Sequence, residues 1–246
     1  MEVFIASFPA GPFQTNCYLA ADAPGSECVV VDPGLDAIDG VEKLIMEYRL
    51  KPVAVMVTHG HLDHMFSVTP LCRGYDSVCW VHGADRVLLA DPYRAMGPET
   101  RALLSQLAGS GSFSEPDEVR ELADGDSIQA AGLEFAAIHA PGHTPGSVMF
   151  ASAYQPDADD SPAGVEIDTV LFSGDVLFAG AIGRTDLPGG SRPDMLRSLR
   201  TKVLPLPDTV AVLPGHGPQT TMARERVANP YLQERNLVAD DRAAPS

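Results

Sequence analysis

The stretch VTHGHLDHMF, residues 57–66, carries three histidines and an aspartate within six positions, from His59 to His64. His59 and His61 follow an apolar run two residues apart, so they project to one side if the backbone stays extended. Packed imidazoles are costly to desolvate, and they repel one another when protonated. A metal ion removes both costs, because it binds histidine in its neutral form. The stretch therefore predicts a metal site, with ligands for one ion and part of a second.

Further metal-capable side chains follow apolar runs later in the chain. Each stands in a glycine-bearing turn after a predicted strand: His143 in APGHTPGS, Asp175 in LFSGDVLF and His216 in VLPGHGP. Taken singly, each candidate also has a structural interpretation, such as a helix cap for an aspartate or a buried, hydrogen-bonded histidine. Together they favour a metal centre. The predicted ligands are His59, His61, Asp63, His64, His143, Asp175 and His216, whereas His82 and His139 lie within strand patterns and are interpreted as structural.

Short apolar runs closed by proline and glycine predict the strands that position these turns. The predicted strands are 3–8, 17–21, 28–34, 53–58, 77–82, Ser127–Ala131, Leu133–His139, Val148–Ala151, Thr169–Ser173 and Val210–Leu213. Helical periodicity predicts helices at 36–50, His64–Cys72, Ala84–Leu89, Arg192–Val203 and Met222–Leu237. Two halves of strands followed by helices indicate an α/β fold with the layers αββα. We expect one domain over residues 1–246, with 91–118 as an irregular cover of the site and 154–168 as an acidic hairpin tip.

Composition narrows the classes of function. The net charge of −16 disfavours nucleic acid and anionic membranes as partners. We find no run long enough to span a membrane and no signal-peptide pattern at the N-terminus. The four cysteines lack CxxC spacing and are expected to be reduced, buried thiols. These features predict a cytoplasmic protein.

The pattern HxHxDH, followed by a later His, Asp and His, resembles the metallo-β-lactamase superfamily over nearly the whole chain. That family has the four-layer αββα sandwich. The resemblance implies that His59, His61 and His143 hold a first metal ion, that Asp63, His64 and His216 hold a second, and that Asp175 bridges them. Zinc is the expected metal, with iron or manganese as alternatives, because His and Asp ligands suit all three. The β-lactamases proper carry a cysteine at the position of Asp175, so antibiotic hydrolysis is not expected.

Finer motifs resemble the glyoxalase II-like thioester hydrolases. They are GPFQTNCYL, VDPG, THGHLDH, APGHTPGS, SGDVLF and GRTDLPGG. The last motif can also be read as a tight turn with a surface ion pair. Arg184 and Arg192 are the candidate substrate contacts. Longer members of the group carry a C-terminal helical segment that binds glutathione; this chain resembles the short, single-domain members, which leaves the identity of the thiol open.

The resemblance implies a binuclear metallohydrolase that cleaves a small-molecule acyl-thioester, typically S-D-lactoylglutathione. A hydroxide shared by the two ions would attack the carbonyl. Asp63 would be a ligand that also orients the nucleophile, and Asp175 would keep the ions close. The alternatives are a persulfide dioxygenase with one iron held by a subset of these ligands, a lactonase, and a non-catalytic metal-binding or scaffold protein. The complete ligand set favours hydrolysis.

Overall fold

A computed structural model describes residues 3–97, 101–102, 113–154 and 166–237 of the chain. Its first sheet contains β1 (Phe4–Ala10), β2 (Thr15–Ala21), β3 (Glu27–Val31), β4 (Lys51–Met56), β5 (Val78–His82) and β6 (Val119–Leu122). These six strands are neighbours in chain order. The β1–β2 and β2–β3 pairs are antiparallel, and β3, β4, β5 and β6 run parallel to one another.

The second sheet takes its strands from the later part of the chain. It contains β7 (Ser127–Ala130), β8 (Leu133–His139), β9 (Val148–Ala153), β10 (Thr169–Gly174), β13 (Val210–Pro214) and β14 (Thr220–Thr221), whereas β11 (Leu177–Phe178) and β12 (Ala181–Ile182) form a separate hairpin. The strand order is β14-β13-β10-β9-β8-β7. Strands β8 and β10 are both antiparallel to β9, and β13 is parallel to β10. The carboxyl ends of β8, β10 and β13 therefore meet at one edge of this sheet.

Helices cover the outer faces of both sheets. The first half supplies Ile38–Tyr48, Leu62–Met65, Val68–Tyr75, Gly83–Ala90 and a 3₁₀ turn at Pro92–Ala95. The second half supplies Arg192–Ser198, a π-helical turn at Leu199–Val203, Met222–Ala228, a 3₁₀ turn at Pro230–Leu232, and Glu234–Leu237.

Alternating side chains of the strands separate three buried layers. In β2, Leu19 packs with the helices of the first half, while Tyr18 faces the space between the sheets. In β10, Phe172 enters the same inter-sheet core, while Leu171 packs against the helices of the second half. Successive side chains of a strand point to opposite faces of its sheet, and here both faces are buried. Each sheet must therefore be covered by a layer on both sides. The fold is therefore the predicted αββα arrangement.

Several predicted elements have different bounds. The strand predicted at 28–34 ends at Val31, because Asp32 has a φ of 52° and leaves the extended conformation. The helix predicted at His64–Cys72 is two helices, Leu62–Met65 and Val68–Tyr75. Strand β6 was not predicted.

The helix predicted at Met222–Leu237 is also wrong as a continuous element. It ends at Ala228, and the chain continues as a 3₁₀ turn at Pro230–Leu232 and a short helix. Pro230 lacks an amide hydrogen and disfavours helical backbone at Asn229, which is extended at ψ 118°. Proline therefore interrupts the apolar periodicity that suggested one helix.

The described residues test only some of the other predictions. All four cysteines are free and buried, as predicted. Part of the irregular cover at 91–118, namely 98–100 and 103–112, and most of the hairpin tip at 154–168 lie outside the described residues. The single-domain interpretation stays a prediction. Within the described ranges, no helix is long and apolar enough to cross a membrane.

Candidate metal centre

The sequence-predicted ligands converge where the carboxyl ends of strands from both sheets meet. The loop after β4 carries His59, His61, Asp63 and His64, and the turns after β8, β10 and β13 carry His143, Asp175 and His216. Their ligand atoms form overlapping groups within 4.8 Å: His59 with His61 and His143, His59 with His64 and Asp175, and Asp63 with His64 and His216. The fold thus brings all seven predicted ligands together.

The separations between ligand atoms match the edges of a coordination polyhedron. His59 Nε2 lies 3.1 Å from His61 Nδ1, and His64 Nε2 lies 3.2 Å from His216 Nε2. Asp63 Oδ2 lies 3.3 Å from His216 Nε2. Ligands about 2.0–2.1 Å from a tetrahedral zinc ion stand roughly 3.3–3.4 Å apart. The groups are therefore spaced to hold ions of that size.

A buried carboxylate fixes the ring orientation of two of the histidines. Asp32 Oδ2 accepts hydrogen bonds from His64 Nδ1 at 2.9 Å and from Thr58 Oγ1 at 2.6 Å. Because the Thr58 hydroxyl donates to Asp32, it must accept from His59 Nδ1, 3.1 Å away. Both imidazoles consequently carry their proton on Nδ1 and present Nε2 to the cluster.

Backbone carbonyls orient two further histidines. His143 Nδ1 donates to the carbonyl of Arg184 at 2.7 Å, and His216 Nδ1 donates to that of Phe13 at 3.1 Å. Their Nε2 atoms therefore face the other ligands as lone-pair donors. His61 is turned the other way, with Nδ1 towards His59.

Unpartnered buried atoms indicate that the cluster fits a metal. Within the described residues, buried side-chain atoms that lack a hydrogen-bond partner include His143 Nε2 and Asp175 Oδ1. His143 Nε2 lies 3.5 Å from Asp175 Oδ2, and His64 Nε2 lies 3.4 Å from Asp175 Oδ1. Buried polar atoms are rarely left unpaired, and a divalent cation would satisfy both. The donor set therefore fits divalent metal ions.

The electrostatics distinguish His59 and His61 from His64. Burial, reinforced by the neighbouring His143, lowers the pKa of His61 to about 3, and burial likewise lowers that of His59. Burial would also lower the pKa of His64, but Asp175, Asp63 and Asp32 raise it to about 10. His59 and His61 are therefore neutral and ready to bind a cation, whereas metal-free His64 carries a second ring proton and is positively charged.

Asp63 is positioned from the first sheet. Its Oδ2 accepts a hydrogen bond from Thr15 Oγ1 of β2 at 3.2 Å and lies 3.6 Å from His64 Nε2. Burial alone would raise the pKa of Asp63, but His64 and His216 lower it below its ordinary value. Asp63 is thus an ionised ligand candidate. It lies in the first turn of the helix Leu62–Met65, whose N-cap position is His61, so it does not cap that helix.

The cluster forms the floor of a cleft of about 280 Å³. Half of the described lining residues are apolar: Phe13, Leu35, Leu62, Ala95, Met96 and Leu187. Arg184 also lines the cleft, and its guanidinium pairs with both carboxylate oxygens of Asp186 at 2.7 Å. The predicted surface ion pair of GRTDLPGG is therefore present beside the site. Arg192 begins the helix Arg192–Ser198 and is not among the described lining residues, so its contact with substrate stays a prediction.

Several residues that support the site were not predicted from the sequence. Asp32 belongs to VDPG, and Asp85 follows β5 in the helix Gly83–Ala90; both carboxylates are buried. An aspartate directly after an apolar strand is the signal that identified Asp175, and it could have identified Asp32, which follows β3 directly. The contribution of Phe13 had no such signal, because only its carbonyl contacts His216.

The remaining histidines lie outside the metal groups found among the described residues. His82 and His139 stack in parallel with ring centroids 3.9 Å apart. His139 Nε2 donates to the carbonyl of Pro145 at 2.9 Å, and His82 Nδ1 accepts from the amide of Ala84 at 3.2 Å. Their predicted structural role agrees with these contacts.

Comparison with known proteins gives the same family as the motifs. The sequence model of the Metallo-beta-lactamase superfamily matches residues 10–158 and 162–216. A protein of Mycobacterium tuberculosis (strain ATCC 25618 / H37Rv), described as uncharacterized, is 42% identical over 94% of this chain and 98% of its own length. The probable metallo-hydrolase YqgX of Bacillus subtilis is 34% identical over 93% of this chain and 97% of its own length. The hydroxyacylglutathione hydrolase GloC of Haemophilus influenzae is 32% identical over 94% of this chain and 99% of its own length.

Solved structures extend the comparison. The BLEG-1 B3 metallo-beta-lactamase has a TM-score of 0.74 at 35% identity, covering 93% of this chain and 99% of that one. TTHA1623 in a di-iron-bound form has a TM-score of 0.68 at 33% identity, covering 93% and 100%. ETHE1 from Myxococcus xanthus has a TM-score of 0.68 at 23% identity, covering 93% and 84%, which shows likeness of fold alone.

Proposed function

The chain belongs to the metallo-beta-lactamase superfamily, and from that premise we propose that it is a metal-dependent hydrolase of acyl-thioesters such as S-D-lactoylglutathione. One observation carries the metal part of the proposal. The Asp175 carboxylate reaches both ligand groups, with Oδ2 3.5 Å from His143 Nε2 and Oδ1 3.4 Å from His64 Nε2. The thioester part is supported by the full-length similarity to GloC.

We assign the ligands to two ions. His59, His61 and His143 would hold the first, Asp63, His64 and His216 the second, and Asp175 would serve both. Zinc, iron or manganese would suit these nitrogen and carboxylate donors. A bound pair of divalent ions supplies Lewis acidity, which lowers the pKa of water towards roughly 7 and polarises the carbonyl. The chain therefore needs no serine or cysteine nucleophile.

Asp63 would orient the attacking water. Its carboxylate is held by Thr15 at 3.2 Å and lies 3.3 Å from His216 Nε2, so its lone pairs point into the cluster. Because its pKa is lowered, Asp63 is a weak base and a good hydrogen-bond acceptor at neutral pH. We therefore assign it to positioning the nucleophile and binding a metal, with no net uptake of a proton.

The cleft walls would select the rest of the substrate. Phe13, Met96 and Leu187 give the described lining an apolar surface, which suits an acyl chain or the methylene groups of a thiol. Arg184 is the one cation among the described lining residues, and its pairing with Asp186 leaves it partly neutralised. The substrate carboxylate, where there is one, would compete with Asp186 for this guanidinium.

A second candidate is β-lactam hydrolysis. The sequence motif argued against it, because Asp175 stands where the β-lactamases proper carry cysteine. The 35% identity to a solved B3 metallo-beta-lactamase favours keeping it as a competing activity. Both reactions need the same activated water and differ in the carbonyl that the cleft accepts.

The test is a substrate panel on metal-loaded protein. Hydrolysis of S-D-lactoylglutathione is followed by loss of thioester absorbance, beside a chromogenic cephalosporin, a simple lactone, and oxygen uptake with glutathione persulfide. Thioester turnover that is abolished in Asp175→Ala and retained in His82→Gln, a histidine outside the cluster, supports the proposal. Turnover of the cephalosporin, lactone or persulfide alone would replace it with that activity.

A further inference from the structure

We propose that Asp85 is a positioning residue that fixes the two loops of the first metal site relative to each other. The inference rests on the proposed function, which assigns His59, His61 and His143 to one ion. Asp85 makes no contact with those imidazoles in the described hydrogen bonds and would act through the backbone that carries them.

The Asp85 side chain is fully buried between the two loops. It projects from the helix Gly83–Ala90, which follows β5 directly. Its Oδ2 accepts from the amide of Gly60 at 2.8 Å and from Thr144 Oγ1 at 2.6 Å. Its Oδ1 accepts from the amide of Gly146 at 2.8 Å. One carboxylate thus receives three short hydrogen bonds from two separate loops.

These donors lie next to ligands in both loops. Gly60 stands between His59 and His61 in the loop after β4, and Thr144 follows His143 in the loop after β8. Strand β4 belongs to the first sheet and β8 to the second. Asp85 therefore links the parts of the two sheets whose histidines must converge on one ion.

Missing side chains at two glycines allow this close approach. A Cβ at Gly146 would lie 2.6 Å from Asp85 Cγ, and a Cβ at Gly60 would lie 2.5 Å from Leu88 Cδ1 of the same helix. Both distances are shorter than real Cβ contacts, so larger residues would push the helix and the loops apart. The packing and the hydrogen bonds both hold the helix of Asp85 against the two loops.

Replacing the carboxylate would loosen the first site selectively. An amide at position 85 cannot accept all three hydrogen bonds, because one side would present hydrogens to a donor. A metal site tolerates about 0.5 Å of ligand displacement, and changes behind the ligands typically cost 10–100-fold in metal affinity. The second site, whose ligands are Asp63, His64 and His216, does not share these contacts.

The experiment measures zinc affinity in two single-site backgrounds by competition with a chromogenic chelator. His216→Gln leaves the first site, and His143→Gln leaves the second. We expect Asp85→Asn to weaken zinc binding about 10–100-fold in the first background. In the second background the change should stay below about twofold, because effects at separate sites add.

Two further variants distinguish a local effect at the first site from general destabilisation of the fold. Gly146→Ala keeps the Asp85 carboxylate but displaces it, so it should reproduce the selective loss. Ile128→Ala, in the buried core of β7, lowers the melting temperature without touching either loop and should leave both affinities unchanged. Equal losses in both backgrounds, or no loss in either, would overturn the role of Asp85. A wild-type chain that binds none of zinc, iron(II) and manganese(II) would overturn the proposed function itself.

Discussion

At the scale of single residues, hydrogen bonds set the chemistry of the site by fixing which nitrogen of each imidazole is free. Asp32 acts on His64 directly and on His59 through Thr58. Carbonyls of Arg184 and Phe13 do the same for His143 and His216. These partners prepare lone pairs at fixed positions, so little reorganisation is needed when a cation binds.

Substitution of Asp32 tests whether its hydrogen bonds orient the histidines for metal binding. In the Asp32→Asn variant, asparagine tolerates the φ of 52° at this position. Its amide has only one oxygen, so it cannot accept every hydrogen bond that the carboxylate accepts from Thr58 and His64. We expect zinc affinity to fall roughly 10–100-fold. Chelator competition measures it, with Asp36→Asn as the control, because Asp36 is exposed in the same loop with a φ of 55°. Equal affinities in both variants would contradict the role of Asp32.

Proton release tests the charge of His64. In the metal-free protein its carboxylate neighbours raise the pKa of His64 to about 10, so it is protonated at pH 8. A metal binds only the neutral ring, so zinc binding should release about one proton from this residue. His59 and His61 have lowered pKa values and should release none. Calorimetric titration at pH 8 in buffers of different ionisation enthalpy counts the protons. His216, whose pKa is also raised, and metal-bound water add protons of their own, so wild type should release about one proton more than His64→Gln, and equal counts would contradict the assignment.

Because the pKa of His64 is raised, the metal-free protein should lose stability as the pH rises. A histidine whose folded pKa is raised contributes stability below its unfolded value of about 6.5, and that contribution is lost as pH rises through the folded pKa. For His64 the loss should extend from about pH 6.5 to about pH 10. Metal-free protein should melt at a lower temperature at pH 9.5 than at pH 6.5, and His64→Gln should remove part of that difference.

At the scale of elements, the site is an assembly of short turns at strand ends, and glycine permits their close approach. A Cβ at Gly215 would lie 2.3 Å from Asp175 Oδ1 and 2.6 Å from His64 Cε1. The turn after β13 can therefore bring His216 to the cluster only without a side chain at that position.

Gly215→Ala should misplace ligands while preserving the fold. We expect the variant to lose one metal ion per chain and more than about 100-fold in turnover, since displacements near 1 Å have such effects. Metal analysis and hydrolysis rates on one preparation measure both. Gly74→Ala is the control, because a Cβ at Gly74, in the helix Val68–Tyr75, would have nothing within 4 Å. Full activity in Gly215→Ala would show that the turn adapts.

The elements also show what the sequence could predict. The strands that carry His59, Asp175 and His216 were predicted because unbroken apolar runs mark buried strands. The helix Met222–Ala228 was overextended, because periodicity outweighed the stop at Pro230. Strand β6 was missed, since VREL carries two charges and its pairing with β5 is a tertiary feature. Asp85 was missed for the same reason: its partners are distant in sequence.

At the scale of the whole molecule, the candidate centre joins the two sheets. The first sheet supplies the HGHLDH loop, and the second supplies His143, Asp175 and His216. A bound ion would therefore link halves that also meet through the apolar inter-sheet core and through the hydrogen bonds of Asp85. Ligands that bind only the folded state stabilise it by mass action.

Removal of metal should lower the melting temperature. At free metal near 100 times Kd the stabilisation is about 2.7 kcal/mol per site, which corresponds to roughly 5–10 °C for a chain of this length. Thermal unfolding with and without a chelator measures the shift. The double variant His143→Gln with His216→Gln should melt at the same temperature in both conditions. A wild-type melting temperature indifferent to the chelator would contradict a metal shared between the sheets.

The central claim is that two ions, held by these seven side chains, support thioester hydrolysis. The most direct measurement is turnover of S-D-lactoylglutathione while zinc, iron(II) or manganese(II) is titrated into metal-free protein. We predict that, for at least one of these metals, activity rises until two equivalents are bound and then stays constant. Thioester turnover that saturates at one equivalent, or no turnover when two ions are bound, would contradict the account.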